Sequence, residues 1–148
     1  MLVRDVMSTE VLRVKETDLI GDVLKTFIEL KMSHAVVEDD QGKLVGILTD
    51  GDIMAAIRQR RPVYIDLFNA VFVLEDNAEL KNKAQALVKL PVREIMTKKV
   101  ASVTEDTSLV EVAGIMADRK IKQVPVVREG RVIGIIRRQD IIQVVANQ

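Results

Sequence analysis

Apolar residues in this chain form short runs and helical stripes that appear in the same order twice. In the C-terminal half, Leu109, Val112, Ala113, Met116 and Ala117 recur at spacings of three and four, which places them on one face of a helix ending near Lys120. Thr107-Ser108 followed by Glu111 supplies the N-cap signal for that helix, and Val100 and Val103 flank a short β-prone run before it. Val124 to Val127 and Val132 to Ile136 are apolar strands joined by a Glu129-Gly130 turn, and a last helix carries Ile141, Ile142, Val144 and Val145. The unit is β-α-β-β-α. The N-terminal half follows the same plan: a strand around Val11 to Val14, a helix with Ile20, Val23, Leu24, Phe27 and Ile28, strands at Ala35 to Val37 and Leu44 to Leu48, and a helix from near Gly51 with Ile53, Met54 and Ile57.

The strands are continuous apolar runs, so each small sheet is expected to be buried on both faces. One unit of about 55 residues has a marginal core, and the two are expected to fold as a pair. The boundaries read as residues 1–60 for the first unit, 61–90 for an insertion and 91–148 for the second. Pro62 ends the helix before the insertion, Tyr64 to Leu74 is strongly apolar, and Asp76 or Asn77 could cap a helix from Ala78 to about Lys89. A structureless loop of that length is unusual, so the insertion is expected to be one or two helices that cover core surface or build an oligomer contact. The fold class is α/β (α+β): two pseudosymmetric motifs packed together, with a helical insertion between them.

Bulk properties narrow the chemistry. The 148 residues are 48% hydrophobic and 30% charged, as a folded body requires, and 22 Lys plus Arg balance 22 Asp plus Glu. That balance gives no global field favouring nucleic acid or an anionic membrane. No cysteine is present, which excludes disulfides, thiolate metal sites and thiol nucleophiles. The one histidine, His34, excludes a multi-histidine metal centre within one chain. With no signal peptide and no apolar run long enough to span a bilayer, the expected location is cytoplasmic. There is no phosphate-binding Gly-x-x-x-x-Gly-Lys-Ser/Thr loop, no His-Glu-x-x-His motif and no supported Ser/His/Asp grouping, so no catalytic residue and no metal site are assigned, and no enzyme activity is expected.

Three separated motifs recur in order in both halves. Val3-Arg4-Asp5-Val6-Met7-Ser8 returns as Val92-Arg93-Glu94-Ile95-Met96-Thr97. Met32-Ser33-His34-Ala35-Val36-Val37 returns as Ile121-Lys122-Gln123-Val124-Pro125-Val126. Gly46-Ile47-Leu48-Thr49-Asp50-Gly51-Asp52-Ile53 returns as Gly134-Ile135-Ile136-Arg137-Arg138-Gln139-Asp140-Ile141. Together they resemble the cystathionine-β-synthase (CBS) domain family over nearly the whole chain apart from the insertion. The resemblance implies a tandem pair, or Bateman module, that commonly binds adenosine-containing ligands between its copies and often dimerises. It also implies clefts that combine the strand-to-helix Asp of one copy with the first two strands of the other. Cleft A would then use Thr49 and Asp52 with Thr97, Val100, Ala101, Ile121, Lys122 and Pro125. Cleft B would use Arg137 and Asp140 with Ser8, Val11, Leu12, Met32, Ser33, His34 and Val36.

The residue chemistry bears on the same reading. A carboxylate where a strand gives way to a helix, as at Asp52 and Asp140, can accept hydrogen bonds from a ribose diol. Free amides at the following helix N-terminus, with the Thr49 hydroxyl, suit a phosphate. Equally, Asp52 and Asp140 can simply cap their helices. Cleft A keeps the family's Thr-x-x-Asp pattern, whereas cleft B carries Arg137, which either grips a phosphate or fills the slot. His34 is either a phosphate donor in cleft B or a partly buried strand residue. Arg58, Arg60 and Arg61 either meet the negative end of a helix dipole or reach a β- or γ-phosphate. Met7 and Met96 read as core or pocket lining. The leading expectation is a regulatory sensor of AMP, ADP or ATP, with S-adenosylmethionine or NADH as other candidate ligands and no cofactor required. It would act as a homodimer on an unidentified effector protein, with no direct nucleic-acid or membrane contact. The alternative is a ligand-free dimerisation scaffold.

Overall fold

A computed structural model of the chain describes residues 1–58 and 80–148 in full and, between them, the backbone of two strands at 63–67 and 70–74. The first copy runs β1 (Arg13–Lys15), α1 (Ile20–Leu30), β2 (His34–Glu38), β3 (Leu44–Thr49) and α2 (Asp50–Arg58). β1 pairs parallel with β2, and β2 antiparallel with β3, so that His34 faces Thr49 and Val36 faces Ile47. After the insertion come α4 (Leu109–Arg119), β6 (Gln123–Arg128), β7 (Arg131–Arg137) and α5 (Arg138–Ala146), with β6 and β7 antiparallel. The run from Val100 to Val103 does not become a strand. Only Val103 bridges to Val126, its amide donating to the Pro125 carbonyl at 3.1 Å.

The helical stripes bury as their spacing dictates: Ile20, Val23 and Phe27 from α1, and Leu109, Val112 and Met116 from α4. Ser108 caps α4, its Oγ accepting from the Glu111 amide at 3.2 Å. α1 has no side-chain cap, and its first amides reach instead across the fold, Ile20 to the Leu90 carbonyl and Gly21 to that of Val88. Both helices end on a lysine in the left-handed region, Lys31 at φ 53° and Lys120 at φ 54°.

The insertion is not wholly helical. Its C-terminal part is a helix, α3 (Leu80–Leu87), within the expected span, but the apolar stretch before it is an antiparallel hairpin of β4 (Val63–Leu67) and β5 (Ala70–Leu74). Val63, Ile65, Val71 and Val73 are β-branched and Tyr64 and Phe72 aromatic, residue types that favour a pleated ladder over a helix. The expected capping residues Asp76 and Asn77, and Pro62, lie outside the described residues.

What joins the copies is an exchange of their opening segments. Val92, from the start of the second copy, is fully buried in the first copy's core with Ile20, Phe27 and Leu48. Val3 is fully buried in the second copy's core with Val112, Val124 and Ile136. Each valine amide is anchored there, Val92 to the Asp18 carbonyl at 2.8 Å and Val3 to that of Thr107 at 2.9 Å. Further along, Thr97 and Ile47 exchange both backbone hydrogen bonds at 2.9 and 3.0 Å, and Ser8 and Ile135 do so at 2.9 Å each. The crossing leaves no room for a side chain beneath it. A Cβ on Gly46 would lie 2.6 Å from the Met96 sulfur and 3.0 Å from the Thr97 carbonyl oxygen, and one on Gly134 would lie 2.8 Å from the Met7 sulfur and 2.9 Å from the Ser8 oxygen. Met7 and Met96 are therefore packing elements. A third core, built from Val36, Val132 and Ile135, closes the seam between the copies. The exchange makes the two halves one body.

Candidate functional site: two clefts at the seam

β3 runs out at Thr49, and α2 begins at once, because Thr49 and Asp52 form a reciprocal cap. The Asp52 amide donates to Thr49 Oγ1 at 3.2 Å, and the Thr49 amide donates to Asp52 Oδ2 at 2.9 Å. The Thr49 hydroxyl adds a bond to the same Oδ2 at 3.2 Å. Capping thus occupies one carboxylate oxygen. The other, Oδ1, points across the seam and accepts from the Thr97 hydroxyl at 2.8 Å. Thr97 is held there by its backbone exchange with Ile47.

Around that pair opens a cleft of about 300 Å³. Of the residues expected in cleft A, Thr49, Asp52, Thr97, Val100, Ala101, Ile121 and Lys122 line it. Pro125 does not, being fully buried inside β6. Sequence reasoning missed Ile47, Asp50, Gly51, Lys99, Lys120 and Gln123, which also line the cleft. The Lys98-Lys99 pair beside Thr97 and the lysine closing α4 were the available signals. Three lysines against two aspartates leave the lining net positive, which suits an anionic group. The expected free amides are not free: Asp50 donates to the Ser33 carbonyl at 2.9 Å, Gly51 to Asp50 Oδ1 at 2.8 Å and Asp52 to Thr49. The groups left open to an anion here are therefore lysine side chains, the Gly51 amide being held by the exposed Asp50 carboxylate.

Cleft B, of about 520 Å³, is built differently. Ser8, Val11, Leu12, Met32 and Arg137 line it as expected, together with Glu10, Leu30 and Lys31. Ser33, His34, Val36 and Asp140 do not line it. Ser33 is exposed beside it, Val36 lies in the seam core, and His34 and Asp140 are buried. Arg137 turns back onto Asp140: its Nε and amide donate to Oδ2 at 3.1 and 2.8 Å, and its Nη2 to Oδ1 at 2.7 Å. The guanidinium is committed to its own carboxylate rather than left free for a phosphate, and that hydrogen bond raises its already high pKa. Ser8, the counterpart of Thr97, does not reach Asp140; its Oγ accepts from the Glu10 amide at 3.2 Å. Burial lowers the His34 pKa, and the nearby Arg137 charge lowers it further, against smaller opposing effects of Asp50 and Asp140. Both effects favour the neutral form of the imidazole. Arg58 sits at the far end of α2, about 12 Å along the axis from Asp50, and lines neither cleft. Arg60 and Arg61 lie outside the described residues.

The CBS-domain family model matches residues 3–59 and 92–147, the two copies described above, and the chain belongs to the CBS-domain family as a tandem pair. It is 35% identical to an uncharacterized Methanocaldococcus jannaschii protein, MJ1426, over 97% of this chain and 90% of that one, and spans less than half of two further relatives. Among solved structures it is similar to the CBS domain pair of protein MJ0100 in complex with 5-methylthioadenosine and S-adenosyl-L-methionine. That match has 30% identity and a TM-score of 0.75, and covers 99% of this chain and 97% of that one. It is also similar to CBSX2 in complex with AMP, at 26% identity and a TM-score of 0.73, over 99% and 96% of the two chains. Among the described residues no helix is long and apolar enough to cross a membrane.

Proposed function

We propose that the chain is a regulatory module that binds an adenosine-containing ligand in cleft A and passes the resulting change in the relation of its copies to a partner. The reading rests on one observation: Asp52 Oδ1 accepts a hydroxyl from the opposite copy at 2.8 Å, inside an open cleft walled by both copies. A ribose hydroxyl can take the place of the Thr97 hydroxyl at that oxygen, an exchange of one neutral donor for another. Ile47, Val100, Ala101 and Ile121 offer apolar surface for a base, and Lys99, Lys120 and Lys122 offer charge for phosphate. The similar pairs complexed with AMP, 5-methylthioadenosine and S-adenosyl-L-methionine support the adenosine class. Because the cleft walls come from different copies, a ligand that contacts both favours one arrangement of them, which is the condition for a switch.

Isothermal titration with AMP, ADP, ATP, S-adenosylmethionine and NADH tests this. Saturable heat with at least one of them, abolished by Asp52→Ala, is the expected result. Absence of heat and of thermal stabilisation at millimolar concentrations of all five overturns it.

A second reading, a homodimer scaffold, draws on apolar side chains that the helices leave in solvent. Ile28 on α1, Met54 on α2, Val110 on α4 and Val145 on α5 are each at least 60% exposed. Sedimentation velocity gives a concentration-dependent dimer on this reading, with or without nucleotide.

A further inference from the structure

The two clefts differ in what holds their aspartates, and the difference decides how many ligands one chain takes. Resting on the adenosine reading above, we propose that Arg137 is a specificity-determining residue. It latches Asp140 shut, so that the chain binds one ribose-bearing ligand, in cleft A, and not two.

A diol needs a carboxylate oxygen whose existing partner it can replace on equal terms. At Asp52 that partner is a neutral hydroxyl, and replacing it with a ribose hydroxyl conserves both the number and the kind of hydrogen bonds. At Asp140 both oxygens are taken by the guanidinium fork. A carboxylate's hydrogen bonds are charge-assisted whatever the donor, and a bidentate guanidinium adds its own charge and a fixed geometry to two of them. A ribose entering cleft B would exchange a bidentate ion pair for hydrogen bonds from neutral donors and leave a buried carboxylate, 7% exposed, without its counter-charge. Neighbouring residues reinforce the asymmetry. Thr97 donates its hydroxyl across the seam to Asp52, whereas the Ser8 Oγ accepts from the Glu10 amide and makes no bond to Asp140. The arginine side chain, half exposed, also occupies the wall of cleft B where the sugar would sit.

The experiment counts sites with AMP as the probe. Isothermal titration of the wild-type chain gives one AMP per chain, and Asp52→Ala gives none. Arg137→Thr, which restores the Thr-x-x-Asp pattern of cleft A, gives two, and Arg137→Thr combined with Asp52→Ala gives one. Arg137→Gln, which removes the charge while keeping length, serves as a second variant if the threonine form unfolds at a lower temperature. Two sites in wild type, or one site in a folded Arg137→Thr and Arg137→Gln, overturns the latch. No heat in any form with AMP or with the other four ligands named above defeats the adenosine reading on which the latch rests, a result distinct from either count.

Discussion

Adding one methyl group at Gly134 should unfasten the exchanged segment at the seam. The new Cβ would lie 2.9 Å from the Ser8 carbonyl oxygen and 2.8 Å from the Met7 sulfur. Ordinary contacts begin at about 3.5 Å, so backbone must yield by roughly half an ångström. The thioether can swing aside; the carbonyl cannot, because it accepts from the Ile135 amide at 2.9 Å. Overpacking of this kind costs about 1–3 kcal/mol. Weakening the reciprocal Ser8–Ile135 pair adds about 0.5–1.5 kcal/mol for each bond lost. Gly134→Ala should therefore destabilise the chain by about 2–4 kcal/mol. In urea, with an m value of about 2 kcal/mol per molar, that is a drop of about 1–2 M in the unfolding midpoint, read by circular dichroism. Gly46→Ala should cost a similar amount, since its Cβ meets Met96 and Thr97 in the same way, and should in addition weaken ligand binding through Thr97. Gly114→Ala is the control. Its Cβ meets nothing within 4 Å in the interior of α4, so the midpoint should rise, by about 0.5–1 kcal/mol of stability. Midpoints for Gly134→Ala and Gly46→Ala within about 0.2 M of wild type would refute the close crossing.

Two further outcomes follow from the same geometry. His34 has its pKa lowered below 6.5 by burial and Arg137, so the folded chain binds fewer protons than the unfolded one in that interval. Its stability contribution is full above pH 6.5 and is lost as pH falls from there through the folded pKa. Urea midpoints measured from pH 7.5 to 5 should fall in wild type and flatten in His34→Gln, and parallel slopes would remove His34 as the cause. Lys31 and Lys120 hold left-handed backbone at a cost that glycine avoids. Lys31→Gly and Lys120→Gly should each raise stability by about 0.5–1 kcal/mol in thermal unfolding. Only Lys120→Gly should weaken AMP binding, because Lys120 lines cleft A, and equal weakening by Lys31→Gly would contradict that placement.

The repeated unit was legible because its helices and strands are specified locally: the stripe Leu109, Val112, Met116 and the run Val124 to Val127 each need only their own neighbours. The hairpin was misread because a short apolar run has no decisive period. The clue was composition, the β-branched residues from Val63 to Val73. The Thr49–Asp52 cap was legible from its spacing, since a cap joining residues three apart is a local event, whereas the cleft A residues of the opposite copy were implied only by the family resemblance. Cleft B was harder. The sequence places Arg137 three residues before Asp140, but whether the guanidinium folds back or reaches outward depends on burial that only the tertiary structure sets. Nor could duplication by itself say that Val3 belongs in the core of the second copy and Val92 in that of the first.

That exchange also orders the making of the protein. Ser8 leaves the ribosome long before its partner Ile135, so its exchange of hydrogen bonds must wait until the second copy has been made. Val92, by contrast, meets its neighbours around Asp18 as soon as it emerges. The first copy can close once Val92 has emerged, and the second only once Ile135 has. Closure of the long loop ending at Ser8 and Ile135 spans more of the chain than any other pairing described here and carries the largest loop-closure entropy.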